Sequence, residues 1–287
     1  NCRLEQPLLV QILAAAGDHQ ATFTHTLIWL EAGALVDLEL AFGSLPTSSS
    51  SQPFHSGIVE VHLDDDAVLN LTEIQEFDHQ VWNITHERAQ VGRNTRLTWL
   101  YGALGTHLSK NFIDIDLLGR NAEVQVKGFY LTDDSQHIDL DTQQNHLAAR
   151  TTSNLLFKGA VTESSVAVWE GMIYVAPNAM QTDGYQSSRN LVLSRSAKVN
   201  AIPGLEILAD DVRCSHGATV GKIDEEELFY LQARGIPLLD AEQLILEGFF
   251  GEVLELTPGE EIKEDLKSKI NKKFAEVRSR REQTEVG

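Results

Sequence analysis

Thiols are scarce in this chain: Cys2 and Cys214 are the only two. They cannot build a disulfide framework, and a reducing compartment is the expectation. Cationic side chains are also in short supply. Twenty-three Lys and Arg face 42 Asp and Glu, for a formal charge of -19. A nucleic-acid binder is excluded on that ground, because neutralising phosphates takes clustered Lys and Arg. No apolar run approaches the ~20 residues that cross a bilayer. No basic segment followed by an apolar stretch marks a signal peptide. The first residue is Asn1 rather than Met, so the chain is expected to begin inside a longer protein. The phosphate-binding pattern G-x-x-x-x-G-K-[ST] is missing, which assigns any ATP hydrolysis to a partner.

What is present suits a soluble globular protein. Hydrophobic residues make up 42% and charged residues 23% of 287, enough for a large core in one long domain or two. The acid is unevenly spread. Pro258 to Gly287 holds eight Lys or Arg against seven Asp or Glu, so residues 1–257 carry a balance of -20. An acidic body with a charge-balanced tail fits protein partners. Asn70-Leu71-Thr72 and Asn83-Ile84-Thr85 match the glycosylation sequon, but without a secretion signal they read as ordinary strand-and-turn composition.

From Ala21 to about Asp211, short alternating runs recur between Gly, Asn, Asp and Ser. Ala34–Leu40, Ile58–Leu63, Phe112–Leu117, Glu123–Val126 and Val166–Trp169 are examples. Alternation of this length signals half-buried strands. A small residue that follows a polar turn and leads into a strand returns at Ala34, Ala67, Thr95, Ala122, Ser165 and Ala197. The successive gaps are 33, 28, 27, 43 and 32 residues. This loose repeat points to a β-solenoid, and a β-sandwich of short strands fits equally well. Two stretches read as loops: the Ser- and Pro-rich segment from Gly43 to Pro53, and the polar run Asp183–Asn190 before a strand at Leu191–Leu193.

After Gly221 the period changes. Asp224 is the expected N-cap of a first helix, with Glu227 completing a box-like pattern and Arg234-Gly235 with Pro237 as its stop. A second helix should start near Asp240, carry Leu244, Ile245, Phe249, Val253 and Leu254, and end at Thr257-Pro258-Gly259. A third, from Glu260 to about Arg281, has a narrow apolar stripe of Ile262, Leu266, Ile270, Phe274 and Val277. The expected division is a β core over 1–221 and a helical subdomain over 222–287.

The stretch Asp210–Gly221 carries the chemistry. Cys214 and His216 are two residues apart, so on an extended strand they share a face. That arrangement sets a soft thiol beside a borderline imidazole, with glycines at 217 and 221 expected to break the strand. His137, Asp139 and Asp141 would share another strand face, with His146 close behind. A metal cluster and a solvated solenoid face both explain them. Lys158 and Arg189 could bind an anion or be solvated. The acids from Asp224 to Glu227 read as a helix start. Phe229, Tyr230, Phe249 and Phe250 are helical-core residues, or in part aromatic anchors for a partner.

Several segments together resemble one known family. They are Asn154–Gly159, Val175–Ala179, Gln181–Asp183, Ser188–Leu191, Leu205–Ile207, Ala209–Gly221, Asp224–Glu226, Phe229–Leu231 and Arg234–Ile236. In this order they look like the SufB/SufD family of iron–sulfur cluster assembly proteins. The Ser215-His216-Gly217-Ala218-Thr219 run sets the chain apart from the SufB branch, and the match runs from about Asp139 to Leu256. The resemblance implies a right-handed parallel β-helix followed by C-terminal helices, which decides between solenoid and sandwich. It implies a non-catalytic scaffold subunit that pairs with SufB through the β-helix, while the ATPase SufC docks on the C-terminal helices. His216, and with it Cys214, would contribute to a cluster-assembly half-site at the SufB interface. The transient iron–sulfur cluster would be shared with SufB, with no stably bound cofactor here. Bacterial cytoplasm or a plastid stroma would be its setting. The helical region that precedes the β-helix in the family has no counterpart in this sequence. The competing expectations are a β-solenoid metalloenzyme using His137, Asp139, His146 and His216, and a homodimeric structural protein.

Overall fold

The computed structural model describes residues 3–286 except 5, 15–19, 46–51, 256 and 258, with residues 281–286 described by their backbone alone. Cys2, Pro258 and most of the Ser- and Pro-rich loop therefore lie outside the described residues.

Strands follow one another without interruption through the first three quarters of the chain. They are β1 (Leu8–Ala14), β2 (Ala21–Leu30), β3 (Leu35–Ser44), β4 (Phe54–Leu63), β5 (Val68–Glu76), β6 (Trp82–Val91), β7 (Arg96–Ala103) and β8 (Leu108–Leu117). Then come β9 (Glu123–Thr132), β10 (His137–His146), β11 (Thr152–Val161), β12 (Val166–Val175), β13 (Thr182–Val192), β14 (Lys198–Ile207) and β15 (Val212–Gly221). The odd strands form one sheet in the order β1-β3-β5-β7-β9-β11-β13-β15, and the even strands a second, β14-β12-β10-β8-β6-β4-β2. Every pairing is parallel and joins strands two apart in sequence, for example Leu71 with Trp99 and Val61 with Ala89. Hairpins cannot give that order, so the sandwich is excluded. The chain is a parallel β-solenoid of about 7 turns, two strands to a turn.

The repeat in the sequence is the small residue at one corner of each turn. Ala34, Ala67, Thr95 and Ala122 each precede an odd strand and stack in register. Thr151 and Thr182 continue that column. Ser165 and Ala197 precede even strands instead, at the opposite corner. The irregular gap of 43 residues is the step from one corner to the other. Ahead of each odd strand from β5 to β13 a residue sits in the left-handed region: Asp66 (φ 62°), Asn94 (φ 53°), Asn121 (φ 61°), Arg150 (φ 61°) and Gln181 (φ 59°). Asp66 N–H donates to Arg93 O at 2.8 Å and Arg150 N–H to Met180 O at 2.8 Å, which ties each corner to the next turn. Asn and Asp tolerate this backbone better than other non-glycine residues.

Inside, large side chains alternate with small ones along a column, as in Tyr101, Gly128 and Phe157. Trp99, Trp169, Tyr101, Tyr130 and Phe157 are all fully buried. Glycine makes room for the largest. A Cβ on Gly128 would lie 2.1 Å from the Phe157 ring, and one on Gly171 would lie 2.3 Å from Trp169.

Three helices close the chain: α1 (Glu225–Ala233), α2 (Leu238–Leu254) and α3 (Glu260–Val286). The stripe expected on α3 is buried at Leu266, Ile270, Phe274 and Val277. With Leu246, Phe250, Val253 and Leu254 of α2, most of it packs on Ile74, Leu100, Phe129, Leu131 and Leu156 from the outer face of the odd sheet. This double coverage removes the alternation from the odd strands: β11 ends in seven consecutive buried residues, whereas β12 alternates throughout. The face expected for α2 holds at Val253 and Leu254, which are buried, but not at Leu244, which is exposed while Leu246 is buried. No helix among the described residues is long and apolar enough to cross a membrane.

Two loop and strand assignments are corrected. Asp183–Asn190 is not a loop but most of β13. Its inward positions are Gly184, Gln186, Ser188 and Asn190, polar or small residues bonded inside the solenoid, Asn190 to Ser188 and Gln186 to carbonyls of the even sheet, and they therefore mimic loop composition. Gly217 does not end a strand either, because β15 continues through it to Gly221 in register with β13.

Candidate functional site

Cys214 and His216 lie on β15, the last strand of the odd sheet, hydrogen-bonded on one side to β13. β14 ends the even sheet beside it, so this end of the solenoid presents two strand edges that no other strand of the described chain covers. Open parallel edges carry unpaired N–H and C=O groups and invite a further strand. Apolar side chains surround them: Ile202 is 52% exposed, Leu208 50% and Val220 49%.

The register places Cys214 over Gly184 and His216 over Gln186. Gln186 is fully buried, and its Nε2 donates to the carbonyls of Gly171 (3.2 Å) and Gly204 (2.9 Å), which braces the even sheet beneath His216. His216 itself is exposed. Cys214 is half-buried and packs with Ile173, Val175, Leu205 and Val212. Burial pushes its thiol above the ordinary range. The Gly184 backbone N–H pulls it the other way, while the Asp183 charge adds to the rise. The cysteine therefore holds its proton until something displaces it.

Gly184 brings a further residue close. A Cβ there would meet the Cys214 sulfur at 3.3 Å and His146 Nε2 also at 3.3 Å. The missing side chain thus leaves the thiol and this imidazole flanking one small space. His146 ends β10 and is fully buried. Its Nδ1 is 2.7 Å from Thr151 Oγ1, and its Nε2 is 2.9 Å from Ser153 Oγ. Thr151 donates its own proton to Ala148 O, so it accepts from Nδ1–H, and Nε2 carries the lone pair. Burial pulls this imidazole down to about 4, and it is neutral. No spacing rule links residues 146, 184 and 214, and only the register of the turns reveals the contact.

The metalloenzyme arrangement is not assembled. His137, Asp139 and Asp141 do share a face, the outer face of the even sheet, but both carboxylates are taken by Lys110 at 2.9 and 2.8 Å. His146 points inward from the same strand, and His216 belongs to the other sheet. Among the described residues no three His, Cys, Asp or Glu side chains are placed to hold a metal ion.

Lys158 and Arg189 are engaged with α2. Lys158 Nζ is 2.7 Å from Glu252 and donates to Phe249 O at 2.8 Å, and Arg189 reaches Glu252 at 3.4 Å. Asp224 caps α1 by accepting from Glu226 N–H at 2.8 Å, so the cap is made without Glu227. The four aromatic candidates divide. Phe250 is fully buried and stands 5.9 Å from Phe129, as a core residue of this chain. Phe249 is half-buried, with Lys158 Nζ 4.9 Å above its ring. Phe229 and Tyr230 are 71% and 54% exposed on α1, a helix with no buried residue. Tyr230, Leu231 and Ile245 line a shallow apolar depression edged by Glu226 and Glu227.

Comparison with known proteins gives one consistent family. Residues 12–249 match the domain described as "SUF system FeS cluster assembly, SufBD core domain". The chain is 30% identical over 236 residues to an iron–sulfur cluster assembly SufBD family protein of Mycobacterium tuberculosis, a match covering 79% of this chain and 59% of that one. It is 36% identical over 171 residues to the iron–sulfur cluster assembly protein SufD of Escherichia coli, covering 60% of this chain and 40% of that one. A SufBD family protein of Synechocystis is 29% identical over 239 residues, 81% and 52% of the two lengths. The matched region spans about half the length of these relatives.

Proposed function

This chain belongs to the SufBD family of iron–sulfur cluster assembly proteins, and we propose that it is a SufD-type scaffold subunit that supplies half of a cluster-assembly site. The observation that carries the reading is the position of Cys214 and His216 on the last, open-edged turn. Iron in clusters takes thiolate ligands and accepts imidazole in their place. One thiol and one exposed imidazole cannot hold a cluster alone, but at an uncovered edge they can be completed by a second chain of SufB type. A scaffold must also release what it builds, and a shared, incomplete ligand set lets go more readily than a closed cage. The chain itself performs no catalysis in this reading. A SufC-type ATPase would dock on the C-terminal helices, with Phe229 and Tyr230 of α1 as anchors and Phe249 at the margin. Two copies would pair through the same edge when the SufB-type partner is absent.

Co-expression with SufB- and SufC-type partners from the same source tests each part. His216→Ala should leave the mass of the complex unchanged and abolish its iron and sulfide. Unchanged iron and sulfide would reduce His216 to a packing role. Phe229→Ala with Tyr230→Ala should weaken ATPase binding roughly tenfold or more while SufB pairing persists. Failure of the wild-type chain to bind either partner would overturn the whole reading.

A further inference from the structure

Midway along the solenoid, two carboxyls meet inside the core with no cation to balance them. Glu73 on β5 and Glu87 on β6 turn inward from opposite sheets and are 0% and 1% exposed. The ladder neighbours of Glu73 are Leu40 and Tyr101, and those of Glu87 are Val59 and Ile113. Tyr101 is thus the one titratable neighbour, and burial, with the two carboxylates, keeps its phenol protonated far above the usual range. The buried lysines among the described residues, Lys158 and Lys273, are committed to α2 and to Asp133.

Hydrogen bonding distinguishes the two acids. His55 Nδ1 donates to Asn83 Oδ1 at 2.7 Å, and Asn83 Nδ2 donates to Ser109 Oγ at 2.9 Å. Ser109 Oγ donates to Asn111 Oδ1 at 2.5 Å, and Asn111 Nδ2 donates to Glu87 Oε1 at 3.3 Å. Every bond in this chain donates toward Glu87, and a donor at the end of such a chain favours an ionised carboxylate. Neither oxygen of Glu73, nor Oε2 of Glu87, receives a hydrogen bond from an amide, hydroxyl or amine. Tyr101 OH stands nearby without an acceptor, and the Trp99 indole N–H, which pulls Glu73 downward, is outweighed by burial and the Glu87 charge. The donor this arrangement lacks is a proton between the two acids.

We propose that Glu73 and Glu87 form a single-proton binding site in the solenoid core, with Glu73 carrying the proton and Glu87 accepting it. Two adjacent carboxylates cannot both stay ionised in a medium of low dielectric constant. Burial, then the Glu87 charge, pushes Glu73 well above the ordinary carboxylate range. Burial pushes Glu87 up to about 7, against hydrogen bonds from Glu73 and Asn111. Loss of the shared proton sets two like charges against each other inside one turn. Ile74, next to Glu73 in the chain, belongs to the cluster that seats α2 and α3, so alkali should loosen the helices along with the core.

Infrared spectroscopy of the full chain at about pH 8.5, above the titration of Glu87, with and without 13C-labelled glutamate, tests this directly. A protonated carboxylic acid band that shifts with the label is expected in the wild type and in Glu87→Gln, and should vanish in Glu73→Gln. Absence of the band from the wild type overturns the proposal, and so does its survival in Glu73→Gln. The labelled wild type alone decides the matter should the variants fail to fold.

Discussion

His146 and Glu87 are both buried without a charge partner, and burial acts on them with opposite sign. An imidazole lowered to about 4 from 6.5 takes up fewer protons folded than unfolded across that window. Its stabilising effect is complete above about pH 6.5 and is lost as pH falls toward 4, a loss on the order of 3 kcal/mol. A carboxyl raised to about 7 from 4.5 holds more protons folded than unfolded, so its share of stability is lost as pH rises through 7. Glu73 adds a slope of the same sign as Glu87, so two carboxyls outweigh one imidazole and the wild type should lose stability as pH rises between about pH 4.5 and 6.5. Denaturant midpoints measured across this range should fall with rising pH more steeply than wild type in His146→Gln and less steeply than wild type in Glu87→Gln. Parallel profiles for the two variants would show that neither residue is neutral in the folded core. The sequence displayed these residues but not their role: His146 read as one of several metal candidates, and nothing singled out Glu73 or Glu87. Inward placement depends on register, which is settled only when turns stack.

Elements with their own period were the legible part of this molecule. The α3 stripe was readable because four-residue spacing survives whatever the helix packs on, and the alternating even strands were readable because one of their faces meets water. The odd strands beneath the helices lost their alternation, and β13 looked like a loop because its inward residues are polar or small. What fixes α3 in place was not legible at all. Asp133, fully buried at a corner of the solenoid, lies 3.0 Å from Lys273 and also pairs with Arg280. Burial alone would raise its carboxyl, but Lys273, His79 and Arg280 together hold it below the usual range. Lys273 is lowered by burial, against the pull of Asp133, and it also donates to Leu104 O and to Gln136 Oε1 at 2.8 Å. Asp133→Asn would leave a buried ammonium without its counter-charge, a cost of about 3–5 kcal/mol. Hydrogen exchange in α3 should then accelerate well ahead of exchange in β9 and β11, and Lys273→Met on the same background should restore part of the protection. Uniform acceleration through strands and helix alike would show that α3 unfolds only with the solenoid.

As a whole, the molecule is a stack whose sides are finished and whose ends are not. One side is covered by α2 and α3, and corner hydrogen bonds close each turn on the next. At the first turn Leu9 is 66% exposed, Phe23 75% and Trp29 64%; at the last, Ile202, Leu208 and Val220 are comparably bare. A soluble chain rarely leaves apolar groups on open strand edges unless something covers them. The opposing influence is charge, because -19 spread over one chain repels a second copy. Salt should tip this balance: added ions shorten the reach of that repulsion to about 10 Å at 0.1 M and leave apolar burial intact. Sedimentation of the isolated chain should therefore show mass increasing with both protein concentration and salt. Ile202→Lys with Val220→Lys should suppress the increase if the last turn is the surface that associates, since charged side chains blunt an open edge. If the pair of lysines changes nothing while Phe23→Lys and Trp29→Lys abolish association, the first turn is the adhesive end, leaving the edge that bears Cys214 and His216 free for a different chain.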